Sequence, residues 1–396
     1  MSVNEPRFRF VNQSHNRCTE VMNFSDLLSP MVLSRDESQS PNSNPVTFGQ
    51  YMEAIKAFVL ENLDGLCEIV SQRSGSHASI KLIDLVAEKR GADYFPASIR
   101  VKTIDNEFWF AANVALTDRG LSRIRQDYDL LMLLGKVSTE KFLPEVFFIN
   151  SYEDPSSSCT KTPNLIFLAE WFRGYHEFHV TDSVNADGPV FSLWDTDQGF
   201  FEFPESVAIE LTEQVAYVLS SFFDLETLQE IYPWHHAAGD FVARLNPSVD
   251  LKLITVRQYQ PRISFPDHSD GNLIQALLLF LANLSVRARI DRMDGVGQFT
   301  WLKGRKFAKA VLLGVLRSVM ATKRNNDRDH DFKKKFMTRL RELNVQDWAT
   351  LLFDTIESYD KTAPDFETIK NNMVDHVFDV YQTCQELMVK DQKYQI

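Results

Sequence analysis

The stretch SIRVKTIDNEFWFAANVAL, residues 98–116, decides how this chain folds. Apolar and polar residues alternate on both sides of Asp105 and Asn106, and an alternation of period two is typical of strands with one buried face. Asp-Asn between two such runs predicts a tight turn, so we expect a β-hairpin. Apolar residues at helical spacing then cover 121–134 and end at Gly135, which predicts a helix with a glycine C-cap.

The elements that follow the hairpin and its helix predict a mixed front half and a helical back half. Strand-like runs cover 142–149 and 164–172, and a connector rich in Gly, His and Tyr follows them. An apolar stripe over 207–222 predicts a long helix. The loop YPWHHAAGDFVARL, residues 232–245, then leads into a short hairpin that ends near Val256. Further helices are expected near 271–290, 304–320, 333–344, 346–358 and 365–390.

Length and composition are those of a globular chain with two or three structural units. The chain has 396 residues, of which 44% are hydrophobic and 24% charged, and such a chain can bury a large core. We predict an α+β fold of two lobes. A Ser-, Asn- and Pro-rich arm at 1–46 is expected to be mostly disordered, and it could include a short docked piece around Phe24 to Leu33. A small α/β lobe with a mixed sheet follows at 47–175. A larger, mainly helical lobe with a central β-hairpin occupies 176–396.

Charge and apolar run length limit the classes of function. The net charge of −12 argues against a general nucleic-acid binder, because such proteins carry a basic footprint. Four cysteines without a CxxC pair argue against a disulfide framework and a Cys-rich zinc site. The most apolar run, ALLLFLANL at 276–284, is shorter than the roughly 18 residues that span a bilayer. With no apolar signal-peptide core at the N-terminus, we expect a cytoplasmic protein that does not bind membranes.

One basic run contrasts with the acidic chain. It extends from Lys323 to Arg341 and reads KRNNDRDHDFKKKFMTRLR. Its spacing favours the solvated face of a C-terminal helix. The alternative is a docking patch for an acidic protein partner.

The order of elements, together with the loop HHAAGDF, resembles the protein-kinase-like fold of aminoglycoside and choline phosphotransferases. In that family a small lobe runs hairpin, helix and two strands. The large lobe opens with a long helix, a loop with the catalytic Asp and a short hairpin. The resemblance covers residues from about 70 to 390. It implies a kinase-like, ATP-dependent phosphotransferase that uses ATP and Mg²⁺ and acts on an unknown acceptor.

The resemblance also suggests roles for individual residues. Asp240 would orient the acceptor hydroxyl, and His236 would support the same loop. Arg257, at the end of the hairpin, would neutralise phosphate charge in cofactor binding and in catalysis. The strand EFWFAANVAL lacks the family's lysine, so Lys102 on the preceding strand is the nearest substitute. Asp127, in the helix that follows, would be the acid that pairs with it.

Several departures from the family pattern keep a second hypothesis open. Leu245 replaces the metal-binding Asn, and no acid follows the hairpin directly. Asp291 or Asp294, in the loop RARIDRMDGVGQFTW, could supply the missing metal ligand. Phosphoryl transfer needs cations to neutralise the transferred group, so these losses favour a catalytically inactive, pseudokinase-like binding module. For Asp240 the corresponding alternative is a turn in which the carboxylate holds backbone amides.

Histidines suggest a third hypothesis, a metal enzyme. His176 and His179 lie in the connector, and His235 and His236 lie in the loop before Asp240. Imidazoles together with a carboxylate are good ligands for zinc or iron. The alternative is that these histidines are structural and hydrogen-bonded.

Overall fold

The computed structural model confirms the α+β class, with a mixed sheet among many helices. It describes residues 5–12, 20–31, 46–88, 94–138, 140–152, 164–182, 189–195, 199–234, 239–295, 297–321 and 327–391. The chain divides into two compact units. The first unit contains Met1–Val137 and Leu143–Gly174, and the second contains Ser138–Phe142 and Tyr175–Ile396.

The first unit is built on a seven-stranded sheet. Its strands are β1 (Arg7–Asn12), β2 (Glu20–Val21), β3 (Leu82–Ala87), β4 (Phe95–Lys102), β5 (Glu107–Ala115), β6 (Val146–Tyr152) and β7 (Asn164–Glu170). Its helices are α1 (Phe24–Leu28), α2 (Phe48–Glu61), α3 (Leu63–Ser74) and α4 (Asp118–Val137). The strand order is β2-β1-β3-β4-β5-β7-β6. β1 and β3 are parallel, and the other neighbours are antiparallel.

The hairpin predicted at residues 98–116 is confirmed, since β4 and β5 pair with Lys102 opposite Glu107. Alternate residues of both strands, among them Ile99 and Phe110, are buried in the core that α2 and α3 cover, as a period of two requires. The helix α4 follows, but the predicted C-cap is wrong. Gly135 lies inside α4, which continues to Val137 although the buried stripe ends at Leu134 and Val137 is exposed.

In its described residues the N-terminal segment forms β1 and β2, which were not predicted, and α1, which lies where a short docked piece was considered. β1 adds a strand parallel to β3, and Arg9 forms an ion pair with Asp84 at 2.6 Å. The short helix α1 has a capping box at Asn23, and Leu27 packs against the core of the unit. Average composition does not reveal the short apolar segment FRFV, which finds a partner strand only in the folded sheet.

The second unit is mainly helical. Its helices are α5 (Glu205–Ser221), α6 (Asp270–Arg287), α7 (Arg305–Ala321), α8 (Asp327–Glu342), α9 (Val345–Glu357) and α10 (Phe366–Asp391). Its strands are β8 (Phe178–Asp182), β9 (Pro189–Asp195), β10 (Gly199–Glu202), β11 (Gln229–Ile231), β12 (Phe241–Arg244), β13 (Asp250–Leu253), β14 (Tyr259–Pro261), β15 (Ile290–Arg292) and β16 (Phe299–Trp301). β8, β9 and β10 form an antiparallel sheet, and the pairs β11–β14, β12–β13 and β15–β16 form three ribbons.

The helix α7 packs against α5, α6 and α10, and it approaches α5 closely at Gly314. A Cβ there would lie 2.4 Å from the carbonyl oxygen of Glu213 and 2.7 Å from the Cβ of Ala216. The apolar run predicted as a buried helix is α6, which is buried on nearly every side. Among the described residues, no helix combines the length and apolar character needed to cross a membrane.

The basic run at 323–341 falls mostly on α8. Phe332, Phe336 and Leu340 are buried, while Lys334 and Arg339 are exposed. This is the amphipathic pattern expected for a solvated helix face. The first residues of the run, 323–326, lie outside the described residues.

Candidate functional site

The strand β8 and the residues before it join three segments of the second unit through backbone hydrogen bonds. His176 exchanges two bonds with Ala243 of β12, at 2.9 and 2.8 Å. Trp194 of β9 donates to the carbonyl of Glu177 at 2.9 Å. Asp294, in the loop after β15, donates to the carbonyl of Val180 at 2.8 Å. Segments far apart in sequence therefore meet at β8.

Two glycines make room for the side chains that β8 and its preceding residue present. Gly239 has φ +67°, and a Cβ on it would lie 2.7 Å from Oε1 of Glu177. Gly295 has φ +73°, and a Cβ on it would lie 3.1 Å from Cε1 of His179. Positive φ already favours glycine, and the close contacts add a second reason. We call the following set the β8 site: Glu177, His179, Gly239, Asp240, Arg257, Asp291, Asp294 and Gly295.

His179 is the least satisfied polar group of the β8 site. The residue is 2% exposed, and neither ring nitrogen forms a hydrogen bond among the described residues. Nε2 lies 3.4 Å from Oε2 of Glu177, which is within ion-pair distance but lacks hydrogen-bond alignment. A buried polar group without a partner costs ~1–3 kcal/mol. The fold therefore holds a pair of ring nitrogens that a ligand could satisfy.

Asp240 and Arg257 form a buried ion pair across the β12–β13 hairpin. Nε of Arg257 donates to both carboxylate oxygens of Asp240, at 3.2 and 3.1 Å, and Nη2 donates to Oδ1 at 2.8 Å. The side chain of Asp240 is 1% exposed and that of Arg257 is 17% exposed. The hairpin brings the two together, since Asp240 precedes β12 and Arg257 follows β13. The guanidinium group of Arg257, which was predicted to neutralise phosphate charge, therefore pairs with Asp240.

The two acids predicted as metal ligands hold the loop after β15 against β8. Asp291 is buried and accepts hydrogen bonds from the backbone N–H of Val180 at 3.1 Å and of Arg292 at 2.8 Å. Asp294 has a left-handed backbone with φ +52° and accepts from the hydroxyl of Thr181. In the described part of the chain, no group of three or more His, Cys, Asp or Glu is arranged to hold a metal ion.

Lys102 and Asp127 both lie in the first unit, where each has its own partner. Nζ of Lys102 is 3.3 Å from Oδ2 of Asp84, and Asp127 accepts a hydrogen bond from the hydroxyl of Tyr94. Burial acts to raise the pKa of Asp84, but hydrogen bonds and charge from Arg9 and Lys102 outweigh it and hold that pKa below its usual value. The lysine therefore stabilises the sheet through Asp84.

The predicted histidine set is placed only in part. His179 is buried in β8, whereas His176 is partly exposed. His235 and His236 lie outside the described residues. Of the predicted site residues, the second unit brings His179, Asp240, Arg257, Asp291 and Asp294 together in the β8 site.

Glu230 and His376 are buried ionisable groups that the sequence did not predict. Glu230 in β11 is 4% exposed, and burial raises its pKa to about 7 although Arg262 opposes the shift. His376 in α10 is fully buried, with Nδ1 2.9 Å from Nη1 of Arg289 and Nε2 3.0 Å from Oγ of Ser285. Because arginine can only donate, Nδ1 accepts and Nε2–H donates. No local pattern marks either residue, since their surroundings come from distant segments.

Comparison with known proteins adds no functional label. No protein-family model matches the sequence, and no curated protein is significantly similar to it. The chemistry of the β8 site is therefore inferred from its own residues.

Proposed function

We propose that this chain is a kinase-like binding module that does not transfer phosphate. The observation that carries the proposal is the ion pair in which Arg257 occupies both carboxylate oxygens of Asp240. In a phosphotransferase the corresponding carboxylate accepts the hydrogen bond of the acceptor hydroxyl. Separating a buried pair of this kind leaves an uncompensated charge, at a cost of roughly 3–5 kcal/mol. Asp240 is therefore a structural anchor of its loop.

The order of described elements supports the kinase-like part of the proposal. The first unit runs hairpin β4–β5, helix α4 and strands β6 and β7. The second unit contains the long helix α5, then Asp240, then the hairpin β12–β13. The resemblance of the sequence to the protein-kinase-like fold is based on this same order of elements.

The partners of Lys102 and Asp127 support the absence of transfer. Active protein kinases require an ion pair between the small-lobe lysine and the acid of the following helix. Here Lys102 contacts Asp84 and Asp127 accepts from Tyr94. A nucleotide that binds this module would meet a lysine already paired with a buried carboxylate.

Phosphoryl transfer can be tested by incubating the purified chain with ATP and Mg²⁺ and measuring ADP. The wild type, Asp240→Asn and Asp250→Asn are compared. Asp250 is a matched control because it is also paired with cations, Arg244 and Lys252, on the same hairpin. We expect no ADP above background from any of the three. ADP formation that Asp240→Asn abolishes and Asp250→Asn preserves would overturn the proposal and restore the phosphotransferase hypothesis.

The partner of such a module is proposed to be an acidic protein that docks on the basic run at 323–341. Lys334 and Arg339 are exposed on α8 and would contribute to that contact. The double variant Lys334→Glu/Arg339→Glu should weaken retention on immobilised polyglutamate at low salt. The control Lys361→Glu/Lys370→Glu, at two lysines that are 59% and 58% exposed, should not. Equal loss in both would indicate nonspecific charge attraction and no dedicated surface.

A second candidate function is metal binding at the β8 site. It is favoured by the two buried ring nitrogens of His179 that form no hydrogen bond among the described residues and by the nearby carboxylate of Glu177. Imidazole and carboxylate are common ligands of zinc and iron. Elemental analysis of protein purified without added metal should then find about one zinc or iron per chain, as a single well-formed site retains one ion.

The histidine variants decide whether such a metal belongs to the β8 site. His179→Gln should remove it, and His77→Gln, at an exposed histidine of the first unit, should not. Wild-type protein without stoichiometric metal would exclude this candidate.

A further inference from the structure

A cavity of about 230 Å³ lies in the first unit, among residues to which the proposed function assigns no role. Three aromatic side chains and one carboxylate contribute to its lining. The lining includes Pro30, Met31, Phe48, Tyr51, Glu88 and Phe95. Tyr51, Phe95 and Met31 are buried, whereas Pro30 is exposed, so the cavity extends from the core of the unit to its surface.

The N-terminal segment supplies one wall of this cavity and is fixed by backbone hydrogen bonds. Met31 donates to the carbonyl of Val46 at 2.7 Å, and Phe48 donates to the carbonyl of Ser29 at 3.0 Å. These bonds hold the end of α1 beside the start of α2. The wall is therefore part of the fold.

The aromatic walls are ordered by their own contacts. The rings of Tyr51 and Phe95 lie edge to face with centroids 6.5 Å apart. The hydroxyl of Tyr51 donates to the carbonyl of Pro96 at 2.9 Å, which fixes the ring. Aromatic faces carry partial negative charge and attract cations as well as alkyl groups. A ligand with an apolar body and a positive head would match such walls.

The carboxylate of Glu88 gives the cavity its charge. Oε1 of Glu88 accepts a hydrogen bond from Oγ of Ser98 at 2.6 Å, which orients the group. Burial raises the pKa of Tyr51, and the negative charge of Glu88 raises it further, so the carboxylate acts electrostatically on the aromatic wall. The net charge of −12 also favours the approach of cations to the chain.

We propose that this cavity binds a small alkylammonium ion. The alkyl chain would lie against Phe48, Tyr51 and Phe95, and the ammonium group would contact Glu88. A cavity of 230 Å³ accommodates between about seven and eight groups the size of a water molecule, at ~30 Å³ each. That size corresponds to a chain of six carbons with one nitrogen.

The test compares two probes of equal shape, n-hexylammonium and 1-hexanol, by calorimetric titration of the full chain. We expect saturable binding of hexylammonium that is at least about tenfold tighter than that of hexanol, because a charge-assisted hydrogen bond adds more than a neutral one. Equal affinities would overturn the proposal in favour of a neutral apolar cavity. The absence of saturable hexylammonium binding would overturn it as well.

Three variants locate the binding. Glu88→Gln keeps the shape of the side chain and should reduce the preference for the amine to near unity. Glu53→Gln, at a 56% exposed residue of α2, should leave that preference unchanged. Ala87→Leu fills the cavity, which Ala87 also lines, and should weaken both probes. Amine binding that survives Glu88→Gln would refute the role of the carboxylate. Binding that survives Ala87→Leu would place the site elsewhere.

Discussion

Replacing Glu230 by glutamine is expected to change how the stability of the chain depends on pH. Glu230 lies in β11 opposite Gln260 of β14, is 4% exposed, and has Arg262 as its nearest cation at 3.8 Å. Burial raises its pKa from 4.5 to about 7, and Arg262 lowers it by a smaller amount. The folded chain therefore binds a proton on Glu230 at pH values where the unfolded chain has released it.

The size of the effect follows from the two pKa values. Between pH 4.5 and pH 7 the folded state holds the proton more tightly, so its stability falls as the pH rises and becomes constant above the folded pKa. A pKa difference of one corresponds to about 1.36 kcal/mol, so a difference of about 2.5 between the folded and unfolded pKa values corresponds to about 3 kcal/mol. Glutamine has no proton to lose. Glu230→Gln should match the wild type near pH 4.5 and exceed its unfolding free energy by up to about 3 kcal/mol at pH 8.

Urea denaturation of both proteins at several pH values between 5 and 8 measures this difference. Glu226→Gln is the control, because Glu226 is an exposed acid in the same segment and should track the wild type at every pH. A difference between wild type and Glu230→Gln that does not change with pH would refute the reasoning. It would mean that Glu230 is ionised in the folded state across the whole range.

Three further predictions concern close contacts and a second buried group. Burial and, second, the charge of Arg289 hold the pKa of His376 well below 6.5. At pH values under 6.5 the unfolded chain binds a proton that the folded chain does not, so the unfolding free energy of the wild type should decrease as the pH falls. His376→Gln should lack this part of the decrease in urea denaturation. Gly314→Ala should cost roughly 1–3 kcal/mol, whereas Gly271→Ala, with open space around it, should not destabilise. Gly295→Ala should lower the unfolding free energy more than Gly174→Ala. Both glycines have positive φ, but of the two only Gly295 would place an added Cβ against a side chain, that of His179.

Several elements could be predicted from the sequence because their signals are local. The hairpin β4–β5 follows from a period of two around a turn pair, and α5 to α10 follow from apolar residues at helical spacing. The strand β1 could not be predicted in this way. It is a short segment that forms a strand beside β3, and the pairing of Arg9 with Asp84 spans 75 positions. A composition average over residues 1–46 cannot detect a partner at that distance.

The sequence by itself determined the α+β class, the order of the main elements and the presence of Asp240 in a glycine-containing loop. Only the tertiary structure decided what that aspartate contacts. Arg257 lies 17 positions away, and the bond between Val180 and Asp291 spans 111 positions. Secondary structure depends on neighbours within one or two turns, so it leaves a periodic trace. The contacts and burial that set the charge state and partners of a side chain arise between distant segments and leave none.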